Sequence, residues 1–268
     1  MRPVRIIIRL IGVLALIYIF LSITFLEFHT KIIFRPDKLS RDYSFKFDQP
    51  FDEYFIPVTK EVEINALLFR SGTKPKGLLL YFHGNKDNLQ RWGTYASDFT
   101  QLGYDVLMMD YRGYGKSGGK PGEQEMYHDA ALIFQWAQQT FSYPNIIFYG
   151  RSLGSAIASN LAVMAEPDLL ILETPFDELW GVVYPVFLPT IYLVKPKYQF
   201  SNADHIRLVK CKKLLIQGSS DWVVPLSSAL RLKPFLKPGD EFVIIEGGGH
   251  NNLHDFPEYQ RALKRALP

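Results

Sequence analysis

Asn145-Ile146-Ile147-Phe148-Tyr149-Gly150-Arg151-Ser152-Leu153-Gly154-Ser155 decides the fold of this chain. The first five residues read as a short buried strand, and residues 155–165 form a small-residue, apolar stretch able to start a helix. Between them a serine stands two residues from a glycine on either side. A sharp strand-to-helix turn crowds the backbone on both sides of its central residue, so the first and fifth positions of the pentapeptide, 150 and 154, must lack side chains. A Gly/Ser loop with an inert serine is the bland alternative, and the strand before and helix after argue against it.

Working outward, apolar runs alternate with helical stretches. Strands are expected at 77–82, 105–110, 145–150, 169–172, 214–217 and 242–245, and helices at 89–102, 123–140, 155–165, 226–235 and 257–267. Such alternation predicts a mostly parallel sheet covered by helices on both faces, an α/β fold. Two earlier strands, 52–58 and 62–70, are separated only by polar residues and predict an antiparallel edge. Residues 179–194 break the alternation: uncharged, aromatic and branched, with Gly181, Pro185 and Pro189. They read as a short apolar lid insertion, at about 177–200, either lining a site for an acyl chain or simply packing on the core. Two prolines in a short run disfavour a membrane span there.

The 268 residues, 47% of them hydrophobic, suffice for one large core with a short appendage. Outside Arg2, Arg5 and Arg9 the basic and acidic residues balance at 27 each. That balance disfavours a nucleic-acid partner, which requires a surplus of cations on one face. The single cysteine, Cys211, excludes an internal disulfide.

Residues 10–26 carry no charge, and 6–26 carry only Arg9. At 1.5 Å per residue the longer run spans roughly 31 Å, close to the hydrocarbon thickness of a bilayer. The small-x-small sequence Ser22-Ile23-Thr24 lies inside the apolar run rather than after it, which favours an uncleaved transmembrane anchor over a signal peptide. The expected organisation is an anchor at 1–29, a linker at 30–50 and a catalytic domain at 51–268. Arg2, Arg5 and Arg9 predict a cytoplasmic N-terminus and a domain on the non-cytoplasmic side, although Lys31, Arg35 and Lys38 add positive charge to the other flank.

A serine hydroxyl needs a general base, and the base needs an acid to fix its tautomer. His250 follows the strand 242–245 through Glu246-Gly247-Gly248-Gly249, a glycine-rich loop read as mobile, at a strand's carboxyl end. His254 is the competing base. A metal held by His250 and His254 lacks a third ligand at suitable spacing. For the acid, Asp221 lies just past the strand 214–217; Asp110 also ends a strand but is expected to hydrogen-bond its own loop, and Glu173 and Asp177 stand in reserve. The chain order Ser152, Asp221, His250 matches one of the three known serine-triad orders. For the oxyanion, the expected donors are the backbone amides of Asn85 and Leu153, with the Asn85 side chain not required and His83 packing beneath the loop.

His83-Gly84-Asn85-Lys86-Asp87-Asn88, Asp110-Tyr111-Arg112-Gly113-Tyr114-Gly115-Lys116-Ser117, Gly150-Arg151-Ser152-Leu153-Gly154, Gly218-Ser219-Ser220-Asp221 and Gly249-His250 together resemble an α/β-hydrolase. The likeness is to the branch with an H-G-N-x-x-N oxyanion loop, which includes membrane-anchored hydrolases and protein depalmitoylases, and it covers residues 51–268. It implies serine-dependent hydrolysis of esters, thioesters or amides, with no cofactor and no metal, acting on a small-molecule or acylated substrate. The cysteine-rich N-terminal segment of the animal depalmitoylases has no counterpart here, so that activity is not carried over. Esterase or thioesterase chemistry comes first, peptidase or amidase chemistry second. A hydrolase fold without catalysis, serving as a membrane-tethered binding protein, is the alternative of a different class.

Overall fold

A computed structural model describes residues 2–72, 74–182 and 197–268. Its strands are β1 (Arg35–Pro36), β2 (Phe51–Pro57), β3 (Glu63–Phe69), β4 (Gly77–Phe82), β5 (Lys86–Asp87), β6 (Tyr104–Met109), β7 (Ile146–Arg151), β8 (Leu169–Glu173), β9 (Lys212–Gly218) and β10 (Glu241–Ile245). Eight of them form one sheet in the order β10-β9-β8-β7-β4-β6-β3-β2. From β6 to β10 the neighbours run parallel, and β3 and β2 continue the sheet antiparallel, as the sequence pattern predicts.

The principal helices are α1 (Arg2–Ile33), α2 (Glu123–Thr140), α3 (Leu153–Ala165), α4 (Asn202–Ile206), α5 (Leu226–Leu230) and α6 (Pro257–Ala266). Alternation along the strands divides the core. In β4, Leu78, Leu80 and Phe82 face the side covered by α2 and α3, with Phe134 and Ile157. Leu79 and Tyr81 face the other side, with Trp92, Phe99, Tyr259 and Leu263. Both faces of a parallel sheet are thus buried, which is why its strands read as continuous apolar runs. The helix expected over 89–102 is instead three one-turn pieces, Leu89–Trp92, Gly93–Ala96 and Ser97–Thr100. At the first junction Gly93 keeps helical backbone angles, and a Cβ there would overlap the rings of Phe47 and Phe69. The helix expected over 226–235 ends at Leu230 and is followed by a separate turn, Lys233–Phe235, which contains Pro234.

Within α1, Val4–Thr24 is long and apolar enough to cross a membrane, and most of its side chains are exposed, Ser22 being buried. A segment of this length and composition near an N-terminus serves either as an anchor or as a signal sequence. Its two small hydroxyl residues bond back along the helix: Ser22 Oγ donates to Tyr18 O at 2.8 Å and Thr24 Oγ1 to Phe20 O at 2.9 Å. Neither leaves an unpaired polar group on the apolar surface. Residues 30–50, expected as a linker, are packed against the domain. Ile33, Phe34 and Phe45 are buried, and β1 pairs with β5. The pattern of aromatic residues here, Phe34, Tyr43, Phe45 and Phe47, is what attaches it. Most of the expected lid, residues 183–196, lies outside the described residues.

One group under the second face sets a pH dependence. Burial pushes the Asp98 carboxyl up to about 6, and its Oδ2 has no hydrogen-bond partner among the described residues. An acid whose folded pKa is raised releases its proton first from the unfolded chain, so the folded state binds more protons between about pH 4 and pH 6 and loses stability as pH rises through that window. Asp98→Asn should remove that slope and raise stability at pH 7 by about 1–3 kcal/mol. Denaturant unfolding of the detergent-solubilised chain across pH 4–7 measures it; an unchanged slope contradicts it.

Candidate active site

Ser152 sits between β7 and α3 with φ 53° and ψ −117°. A left-handed conformation is rare for a residue with a side chain and is held here by the packing on both sides. A Cβ on Gly150 would overlap the Gly154 carbonyl oxygen, and one on Gly154 would overlap the Phe82 carbonyl oxygen at the end of β4. The two glycines of the pentapeptide are therefore required, as read from the sequence, and α3 approaches the sheet closely through Gly154, Ala156 and Ala158.

Three further loops at the carboxyl ends of strands converge on this serine. His250, beyond β10, places Nε2 3.1 Å from Ser152 Oγ. Its Nδ1 lies 2.8 Å from Asp221 Oδ2, beyond β9. With Nδ1 donating to the carboxylate, Nε2 is left as the acceptor for the serine hydroxyl. The Asp221 side chain is fully buried. It also accepts from the backbone amides of Val223 and Val224, both at 2.8 Å, and from Gln217 Nε2 at 3.1 Å. These bonds fix the carboxylate in one orientation and satisfy it in a dry setting. The three residues singled out in the sequence thus stand together in the folded chain. The glycine-rich loop, read as mobile, is bonded to the loop carrying Asp221. Ser219 N donates to Ile245 O at 3.0 Å, Ser220 N to Gly248 O at 2.9 Å and Gly247 N to Ser219 Oγ at 2.8 Å.

The rival residues have other partners. His254 stands 3.2 Å from Asp255 Oδ1 and edge-on to Tyr95. Glu173 is paired with Arg151, and Asp177 with Arg231. Burial pushes the Asp110 carboxyl up; it accepts from Leu89 N at 3.3 Å and faces His83 at 3.5 Å. His83 is fully buried, stacked on Trp92 and beside Tyr111, and packs beneath the loop after β4 as expected, whereas the Asp110 carboxylate, expected to bond its own loop, bonds the end of the β4 loop at Leu89. Among the described residues no group of three or more His, Cys, Asp or Glu is placed to hold a metal ion.

That loop brings Asn85 to the wall of the same cavity as Ser152 and Leu153. Among the described residues neither the Asn85 nor the Leu153 amide donates a hydrogen bond, so both are open to an acceptor in the cavity. The peptide of Asn85 is held from behind: its carbonyl accepts from Tyr114 Oη at 2.8 Å and from Arg35 N at 3.0 Å. The Asn85 side chain, thought dispensable, donates through Nδ2 to Ile33 O at 2.8 Å. It satisfies a terminal carbonyl of α1, a function only the folded chain reveals.

Arg151 is the residue that the sequence analysis missed. It is 99% buried directly before Ser152. Its Nε stands 3.2 Å from Glu173 Oε1, and Nη2 donates to His250 O at 3.1 Å and to Asn251 Oδ1 at 3.3 Å. Burial opposes its charge, but the Glu173 carboxylate together with Tyr81, Tyr149 and Tyr95 outweighs burial and holds the guanidinium well above its ordinary pKa. Arg151 thus connects the turn carrying Ser152 to the backbone of His250. The only sequence signal was a charged residue inside a buried strand, which demands a partner.

The cavity beside Ser152 has a volume of about 450 Å³, within the range of sites that take small organic ligands. Its wall is mainly apolar and includes Phe176, Leu179, Val182 and Val224.

The family model described as serine aminopeptidase, S33, a hydrolase model, matches residues 73–212, a span that contains Asn85 and Ser152 and stops before Asp221 and His250. An uncharacterized protein of Mycobacterium tuberculosis is 34% identical over 178 residues, 65% of this chain and 63% of that protein. The lysophosphatidylserine lipase ABHD12 of Bos taurus is 28% identical over 222 residues, 71% of this chain and 55% of the lipase. The match therefore spans less than two thirds of the length of either relative. Among solved structures, a Pyrococcus furiosus esterase superposes with a TM-score of 0.69 at 19% identity, covering 88% of this chain and 99% of the esterase, a likeness of fold. With the parallel sheet, the strand-turn-helix at Ser152 and a family match over half its length, the chain belongs to the serine aminopeptidase S33 family of α/β-hydrolases.

Proposed function

We propose that this hydrolase cleaves a carboxylic ester or thioester through an acyl-enzyme on Ser152. The observation that carries the reading is the continuous chain from Ser152 Oγ through His250 to the buried Asp221, beside two open amides in an apolar cavity. Ser152 Oγ attacks the carbonyl carbon as its proton passes to His250 Nε2. The oxyanion accepts from the Asn85 and Leu153 amides, each such donor being worth about 3–4 kcal/mol. Collapse breaks the bond to the alcohol or thiol, which leaves with the proton from His250. Water then attacks the acyl group, giving its proton to His250, and the second collapse returns that proton to Ser152 and releases the acid. Asp221 orients the imidazole and stabilises its charged form.

The apolar wall supports an acyl chain over a peptide. Turnover of matched esters, thioesters and amides of short and long chain by the full protein tests this. Ester or thioester hydrolysis well above amide hydrolysis is expected, amide preference would favour the peptidase reading, and no turnover by the folded protein would leave a binding role. We further propose that Val4–Thr24 is a retained anchor and that residues 51–268, with 30–50 packed on them, form the catalytic domain on the non-cytoplasmic side, a reading supported by Arg2, Arg5 and Arg9. Release of the full-length chain from membranes by salt alone would contradict the anchor.

A further inference from the structure

Trp222 is 94% exposed and Val223 52% exposed, and both line the cavity that holds Ser152. So large an apolar side chain at the rim of a site, directly after the buried Asp221, has no packing role within the described chain. On the same cavity wall stand Ile32 and Ile33, the last residues of α1. That end of α1 is fixed to the domain by the Asn85 bond to Ile33 O and by Phe34, which is buried against Tyr198 and Phe200. The helix is unbroken from Val4 to Ile33. Ile33 lies nine positions after Thr24, so the cavity wall lies roughly 14 Å along the helix from the end of the apolar segment. The headgroup layer of one leaflet covers about half of that distance.

We propose that Trp222 and Val223 form an interfacial docking rim for a lipid bilayer, so that the acyl chain of a membrane-resident ester passes from the lipid into the cavity without crossing bulk water. The proposal rests on the anchor and serine-hydrolase reading given above and adds to it the route and the physical state of the substrate. An indole is amphipathic and partitions to the headgroup level, where its ring meets acyl chains and its N–H meets polar groups. Arg35, exposed on the same wall, presents a guanidinium suited to headgroup phosphate. The bilayer is favoured over a protein partner because the rim is continuous, through the cavity, with the segment that enters the membrane.

The test uses the full chain reconstituted in phosphatidylcholine vesicles carrying bromine at different acyl depths. Shallow bromines should quench a component of tryptophan emission that is missing from Trp222→Phe. The ratio of turnover of a vesicle-borne long-chain ester to that of a water-soluble short-chain ester should fall at least about tenfold in Trp222→Glu, since a charge replaces an apolar group at the lipid contact. Identical quenching in the full chain and Trp222→Phe overturns the proposal, as does protection of Trp222 that depends on protein concentration and not on lipid, the mark of a second copy on the rim. Quenching reads docking without any turnover. Absence of a Trp222-dependent quenching component from the unsubstituted chain, with esters still cleaved, therefore defeats the rim alone, whereas docking without cleavage defeats the hydrolase reading.

Discussion

Ser152→Ala should lower kcat for an acyl ester by about 10⁴- to 10⁶-fold, and His250→Ala by a similar factor, with thermal unfolding unchanged in kind. The expected size follows from the geometry: His250 Nε2 is 3.1 Å from Ser152 Oγ, and its other nitrogen is committed to Asp221, so neither residue does its part without the other. The more searching result is the double variant. Groups that act as one unit do not lose activity additively, so Ser152→Ala with His250→Ala should be no slower than either alone. Steady-state rates on the three variants measure this. A double variant slower by the product of the single losses would mean that the two residues act independently, and the proposed proton path would be wrong.

Arg151→Met should destabilise the domain by about 3–5 kcal/mol, because it leaves the Glu173 carboxylate buried without its cation. Tyr149 Oη also donates to Glu173, but a neutral donor does not replace a guanidinium. Adding Glu173→Gln removes the orphaned charge and should recover part of the loss, giving a coupling of at least about 1 kcal/mol in a double-mutant cycle. Arg151 also holds the carbonyl of His250, so Arg151→Met should lower kcat more than KM rises. Denaturant unfolding and steady-state rates on the two single variants and the double one provide both readouts. Additive stability losses would show that Arg151 and Glu173 are not energetically joined.

Much of this arrangement was legible because parallel strands buried on both faces leave long apolar runs, and because a turn that forbids two Cβ atoms leaves two glycines. Gly150, Gly154 and Gly218 are of this kind: each would meet a backbone oxygen if it carried a side chain. The places where sequence reasoning stopped share a different cause. Gly93 carried no local signal of its role, since the rings that leave no room for a Cβ there come from Phe47, in the segment expected as a linker, and from Phe69. Arg151 carried no periodic signal, since its partners Glu173 and His250 come from another strand and from the loop after β10. Likewise the Asn85 side chain gains its role only once α1 has been brought to it over 50 residues of chain. Contacts of that range are set by topology, and a local pattern does not encode them.

Reaction of the full chain with a fluorophosphonate, followed by mass mapping of its peptides, tests the nucleophile assignment most directly. One adduct on the peptide carrying Ser152 is expected, absent from Ser152→Ala and formed much more slowly by His250→Ala. An adduct on a different serine, or none on a chain shown to be folded, would contradict Ser152 as the residue that carries the acyl group.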